Sequence, residues 1–247
     1  MVRIMCVVSY DGTNYAGYQI QNNGITIQEK IEKALKALHK GKEIQVIASG
    51  RTDARVHAVG QTFHFDTTLT IPEENWKRAL NARLPKDIFV KSVHRVVDDF
   101  HARYDAIVKE YRYFVLNQKD PDIFVRNHRT HVRENLDISA MQEACTYIEG
   151  EHDFSAFCSA KTDVKGSKVR TVYQASCQKD GDQVIFIFKG SGFLYNMVRI
   201  LVGTLIEIGK GERHPSSIIE TIASKDRNKA GKTAPPQGLF LWEVTYR

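Results

Sequence analysis

The run Ser49-Gly50-Arg51-Thr52-Asp53-Ala54-Arg55-Val56-His57-Ala58 sets one carboxylate, Asp53, on a tight turn beside the fixed cation Arg51. A carboxylate held on a loop can serve as a nucleophile or a base. Residues 45–48 read as a strand and residues 60–65 as another, so the connection carrying Asp53 is supported from both sides. Thr-Asp is also ordinary turn chemistry, and the residue types alone leave a turn-capping role open.

A second cation stands out because of where it sits. Residues 193–207 are apolar almost all round and predict a buried helix. Asn196, Arg199, Gly203 and Glu207 recur three or four apart and form a single polar stripe on it. A guanidinium with little access to water needs a carboxylate or phosphate, since desolvating it alone costs several kcal/mol. Two partners satisfy that need: an acid of the core such as Glu207, or Asp53, whose ionised form Arg199 would then favour.

Lys109-Glu110-Tyr111-Arg112-Tyr113 reads as a strand with both tyrosines on one face. Two such rings belong to a core, or they stack on an unstacked nucleobase, worth about 1 to 3 kcal/mol per base. Basic residues gather in three loop-like runs, residues 126–133, 161–170 and 225–232. Each is a solvated surface or part of a surface that follows phosphates. Lys189-Gly190-Ser191-Gly192-Phe193-Leu194 partly matches an RNA-recognition signature, but Ser191 replaces the stacking aromatic and the segment runs into a helix.

The elements that must position these groups follow from periodicity. Strand 3–9, helix 26–38 capped by Thr26, strand 45–48, strand 60–65, a helix from Pro72 to 84 and strand 87–97 give the order βαββαβ. The pattern restarts at Lys109 with strand 111–116, helix 139–149, a hairpin of 171–177 with 183–189 across Lys179-Asp180-Gly181-Asp182, helix 193–208 and strand 239–246. The expected fold is α+β: two ferredoxin-like halves, residues 1–105 and 106–247, joined into an extended, mainly antiparallel sheet with helices on one face and a central cleft.

Composition narrows the classes. The formal charge of +6 over 247 residues favours an anionic partner such as nucleic acid. Cys6, Cys145, Cys158 and Cys177 lie far apart with no C-x-x-C spacing, which suggests neither a zinc site nor a disulfide framework and fits a reducing cytoplasm. No metal-binding histidine pattern and no Gly-rich phosphate loop is present. The amino terminus is too short in apolar residues for a signal peptide. The longest apolar stretch, 200–208, falls well short of the roughly 20 residues a membrane span needs.

Taken in order, several segments resemble the tRNA pseudouridine synthase A family. They are Tyr10-Asp11-Gly12-Thr13-Asn14-Tyr15-Ala16-Gly17-Tyr18-Gln19, Gly50-Arg51-Thr52-Asp53, Val56-His57-Ala58, Phe100-His101-Ala102-Arg103-Tyr104 and Lys109-Glu110-Tyr111-Arg112-Tyr113. His152-Asp153-Phe154, the start of the 193–199 segment and Ala234-Pro235-Pro236-Gln237-Gly238-Leu239 complete the set, which spans almost the whole chain. The resemblance implies that Asp53 is the catalytic aspartate, that Tyr111 packs on the target uracil and that Arg199 is paired with Asp53. It implies Leu239 as an apolar wall of the uracil pocket and Arg51 as a cation beside the flipped nucleotide. It further implies a cytoplasmic homodimer that converts uridines 38, 39 and 40 of the tRNA anticodon arm to pseudouridine, with neither metal nor organic cofactor. An RNA-binding relative without catalysis is the alternative, and the intact set Asp53, Tyr111 and Arg199 argues against it. Two positions depart from the family pattern: Arg55 stands where a glycine is usual, and Asn196 where a His or Gln is.

Overall fold

β1 (Val2–Tyr10) buries Ile4, Cys6, Val8 and Tyr10 and leaves the residues between them half-exposed, the period of two that alternation demands. It belongs to the first of two units in the computed structural model, which describes residues 1–22, 24–159 and 166–247. The first unit comprises Met1–Ile107 with Phe240–Arg247, and the second Val108–Leu239. The chain is α+β throughout.

In the first unit, β1 pairs antiparallel with β3 (His57–Thr67) on one side and β4 (Ile88–Val96) on the other. A two-residue strand, β2 (Ile47–Ala48), adds to β3. α1 (Ile27–Leu38) starts at a capping box, with Thr26 Oγ1 accepting from the Glu29 N–H while the Glu29 carboxylate accepts from the Thr26 N–H. α2 (Glu73–Asn81) turns Trp76 and Leu80 inward. It ends earlier than residue 84, because the chain must leave helical geometry ahead of Pro85. Trp76 meets Phe65 edge to face at 5.4 Å, and Ile27, Ile31, Leu35, Leu80 and Phe63 are fully buried with them.

The second unit is built on β5 (Ala106–Asn117), β9 (Gln183–Gly190), β8 (Val169–Asp180) and β7 (Gly150–Asp153), hydrogen-bonded in that order and antiparallel throughout. Gly181, at φ 57°, closes the β8–β9 hairpin. β6 (Thr130–Val132) lies parallel to β5, inside a run read from the sequence as loop. α3 (Ile138–Thr146) packs on β8 and on α4 (Met197–Gly209), and α5 (Ser217–Ser224) follows.

The final strand, β10 (Leu239–Tyr246), read from the sequence with the second half, runs parallel to β3 with Phe240 opposite His57 and Leu241 opposite Ala58. The Phe240 ring stacks on His57 at 4.6 Å, and Tyr246 Oη donates to the Ala102 carbonyl at 2.6 Å. Among the described residues no helix is long and apolar enough to cross a membrane.

Candidate active site

Asp53 sits in the connection between β2 and β3, and the whole connection is clamped. Gln61, fully buried on β3, accepts from Ser49 Oγ at 2.6 Å and donates to the Gly50 carbonyl at 2.8 Å. Thr52 shares a 2.8 Å hydrogen bond with the buried Tyr10 hydroxyl, and its carbonyl accepts from the Tyr18 N–H at 3.0 Å. Burial pushes the Tyr10 hydroxyl up, so at neutral pH it stays a neutral partner for Thr52. The Asp53 carbonyl accepts from the Val56 N–H at 3.1 Å, which closes a turn over Ala54 and Arg55.

Two glycines let the loop of residues 11–19 lie directly against this turn. A Cβ on Gly12 would stand 2.0 Å from the Val56 carbonyl oxygen, and one on Gly17, at φ 112°, would stand 2.8 Å from that of Thr52. Arg55 donates its N–H to the Tyr15 carbonyl at 3.2 Å and holds φ 65°. That left-handed position, third in its turn, suits glycine and strains an arginine. The Asp53 carboxylate is half-buried in this frame, and Arg51, on the same loop, is exposed.

Tyr111, Arg199 and Leu239, expected from the sequence to serve the site, all belong to the second unit. On β5, Tyr113 is fully buried, its hydroxyl bonded to Thr130 Oγ1 at 2.6 Å and donating to the Pro235 carbonyl at 2.7 Å. Tyr111, two residues earlier on the same face, is only half-buried, with its ring edge-on to Phe193 at 5.2 Å. One tyrosine of the pair is therefore core and the other presents part of its ring. Gly238 lies under Tyr113, where a Cβ would meet the ring at 2.7 Å, and this contact leads into the buried Leu239.

Arg199 is in the first turn of α4, where the helix dipole disfavours a cation. Acceptors offset that: Nε donates to the Ala234 carbonyl and Nη1 to Asn196 Oδ1, both at 2.8 Å. Asn196 adopts φ 61°, a left-handed conformation that Asn tolerates better than most residues. This is why α4 begins at Met197 and not at Phe193. Asn196 Nδ2 in turn donates to Ser159 Oγ at 2.8 Å.

The polar stripe on α4 is thereby explained. Gly231 N–H donates to Thr204 Oγ1 at 2.9 Å, Lys232 N–H to Glu207 Oε1 at 3.0 Å, and Ala234 N–H to the Arg199 carbonyl at 3.0 Å. At Gly203 a Cβ would fall 1.7 Å from the Lys232 carbonyl oxygen. The stripe seats the strap of residues 231–234. Glu207 also holds Arg213 at 2.6 Å.

The basic runs are partly committed to structure. Arg227 bonds Thr233 Oγ1 at 3.1 Å, Lys225 pairs with Asp153 at 3.0 Å, and Arg170 donates to the carbonyls of Ser167 and Val169. Lys161 and Lys165 lie outside the described residues.

Comparison with known proteins adds the family. The one described as tRNA pseudouridine synthase matches residues 6–105 and 144–247. The tRNA pseudouridine synthase A of Oceanobacillus iheyensis is 56% identical over 246 residues, covering 100% of this chain and 97% of its own. That of a Geobacillus species is 54% identical over 99% and 98% of the two chains. A Bacillus cereus protein, tRNA pseudouridine synthase A 1, is 52% identical over 100% and 99%. This chain belongs to the tRNA pseudouridine synthase A family. As a pseudouridine synthase it is an isomerase.

Proposed function

We propose that this chain isomerises uridine to pseudouridine in the anticodon stem-loop of tRNA, at positions 38, 39 and 40, with Asp53 as the catalytic carboxylate. The carrying observation is the Asp53 loop itself, a half-buried carboxylate in a connection braced by Gln61, Tyr10, Tyr15 and Tyr18. A group so restrained meets its target with little loss of freedom on reaction.

The reaction breaks the C1′–N1 glycosidic bond, turns the base within the pocket and joins C1′ to C5. N1 gains a proton and C5 loses one, so atoms balance with no oxidant, metal or cofactor. Tyr111 offers a partly exposed ring for the uracil face, and Leu239 an apolar wall. Arg199, two of whose partners are neutral acceptors, is the cation proposed to keep Asp53 ionised. Arg51 is proposed to stand by the flipped nucleotide, whose extrusion costs a few kcal/mol that stacking and phosphate contacts offset. The protein is proposed to act in the cytoplasm as a homodimer.

Asp53→Asn is nearly isosteric and has neither nucleophile nor base. Tritium release from C5-labelled tRNA is expected to vanish while tRNA affinity changes little. Activity above about a tenth of the parent would remove Asp53 from its role, since losing an essential group costs orders of magnitude.

A further inference from the structure

Between β4 and β5, every backbone N–H from Phe100 to Asp105 donates a hydrogen bond. Phe100 donates to the Val97 carbonyl at 3.1 Å, His101 to Asp105 Oδ2 at 2.7 Å, and Ala102 to His64 Nδ1 at 3.1 Å. Arg103 and Tyr104 both donate to His101 Nδ1, at 3.1 and 3.2 Å, and Asp105 to the His101 carbonyl at 3.0 Å. Arg3 Nη1 holds the Phe100 carbonyl at 2.8 Å, and the Phe100 ring packs on Tyr246 at 5.1 Å.

This fixed turn presents an aromatic ring to solvent. Tyr104 is 74% exposed, although Ala102, two residues before it, is fully buried. The Tyr104 ring stacks on His101, centroids 4.2 Å apart and planes within 28°, and the Arg103 guanidinium lies over the ring at 5.8 Å from its centre. Folding gains little from a tyrosine left in water, yet the backbone around it is immobilised and one face is already backed by a second ring. Such an arrangement suits a planar partner, which would add to the stack with little further ordering.

We propose that Tyr104 is a stacking platform for an unpaired base of the RNA substrate, backed by His101 and flanked by Arg103. This rests on the reading of the chain as a tRNA-modifying enzyme and adds a contact that the reaction itself does not require. Asp98 and Asp99 are exposed just ahead of the turn, and residues 98–105 carry Asp98, Asp99 and Asp105 against the single fixed cation Arg103. The attraction is therefore to a base face and not to phosphates, which gives the platform a separable signature.

The test uses the full-length protein and a fluorescent tRNA transcript. Tyr104→Leu is expected to raise Kd about 5- to 150-fold, the range that base stacking on an aromatic corresponds to, with the slope of log Kd against log salt unchanged. Tyr104→Phe and Tyr104→Trp should bind as the parent does, and the Trp variant should show emission quenched by tRNA beyond that of the two native tryptophans. A change in Kd below about twofold for Tyr104→Leu overturns the platform, as does a shift in its sedimentation coefficient, which would make Tyr104 a subunit contact. Tritium release by the parent separates the two readings. A parent that turns over while Tyr104→Leu binds normally sinks the platform alone, and a parent that neither binds nor modifies tRNA sinks both.

Discussion

Asn196 Oδ1 accepts a hydrogen bond from Arg199 Nη1 at 2.8 Å while the Asn196 backbone occupies the left-handed region. One residue thus both starts α4 and aims the cation in its first turn. A hydrogen bond to a charged group is worth about 1.5 to 3 kcal/mol.

Asn196→Gly separates these two roles, because glycine adopts the same backbone without strain and lacks the amide. The variant should unfold about 3 to 12 °C below the parent, the shift that a lost hydrogen bond of this size gives in a chain this long, and kcat for pseudouridine formation should fall about 10-fold or more. Asn196→His, with a ring nitrogen as acceptor, should recover most of that loss. Single-turnover rates at saturating enzyme decide it, and an unchanged rate for the glycine variant would show that Asn196 does not orient Arg199.

Arg55 leads to the opposite expectation. A non-glycine residue at φ 65° costs about 1 to 2 kcal/mol, part of which glycine gives back through the freedom of its unfolded chain. Arg55→Gly should stabilise the protein by about 0.5 to 1 kcal/mol, read as a higher urea midpoint with the same slope. A lower midpoint would mean that the arginine side chain makes contacts worth more than the strain.

His64 makes stability depend on pH. Burial lowers its pKa from 6.5 to about 4, with Arg3 and His101 adding to the effect. A histidine depressed in the folded state contributes stability that is complete above pH 6.5 and is lost as pH falls toward 4, because the unfolded chain takes up the proton first. Its Nδ1 accepts from Ala102, so protonation there also breaks a hydrogen bond. Urea midpoints of the parent should drop from pH 7 to pH 5, and His64→Gln should flatten that drop. A parallel decline in both proteins would assign the pH dependence to other groups.

The parts of the fold that were legible are those written in side-chain periodicity and capping. Thr26 marked the start of α1, alternation marked β1, and the strands on either side of Asp53 identified its loop. The short β6 and β7, with the sequences THV and GEHD, and the eight-residue α5 give too few periods to register. Arg199 was legible as a cation needing company. Two of its partners, the Ala234 carbonyl and the Asn196 amide, are neutral and do not follow from a search for acids. The strap of residues 231–234 binds α4 largely through its own backbone N–H and C=O groups, which every residue type carries. Gly203 read from the sequence as a member of the stripe, and the Lys232 carbonyl above it gives that glycine its reason.

The return of β10 to the first unit has a consequence for biosynthesis. Residues 108–239 are contiguous and can collapse as soon as they clear the ribosome. The earlier-made residues 1–107 must wait, because the strand that lies along His57 and Ala58, and whose Tyr246 reaches the Ala102 carbonyl, is made last. The Asp53 loop runs straight into that waiting edge of β3. A chain released at Leu239 would therefore carry a finished second unit and a first one whose β3 still lacks its partner at His57 and Ala58, so the half with the Asp53 loop is the last to close in vectorial synthesis.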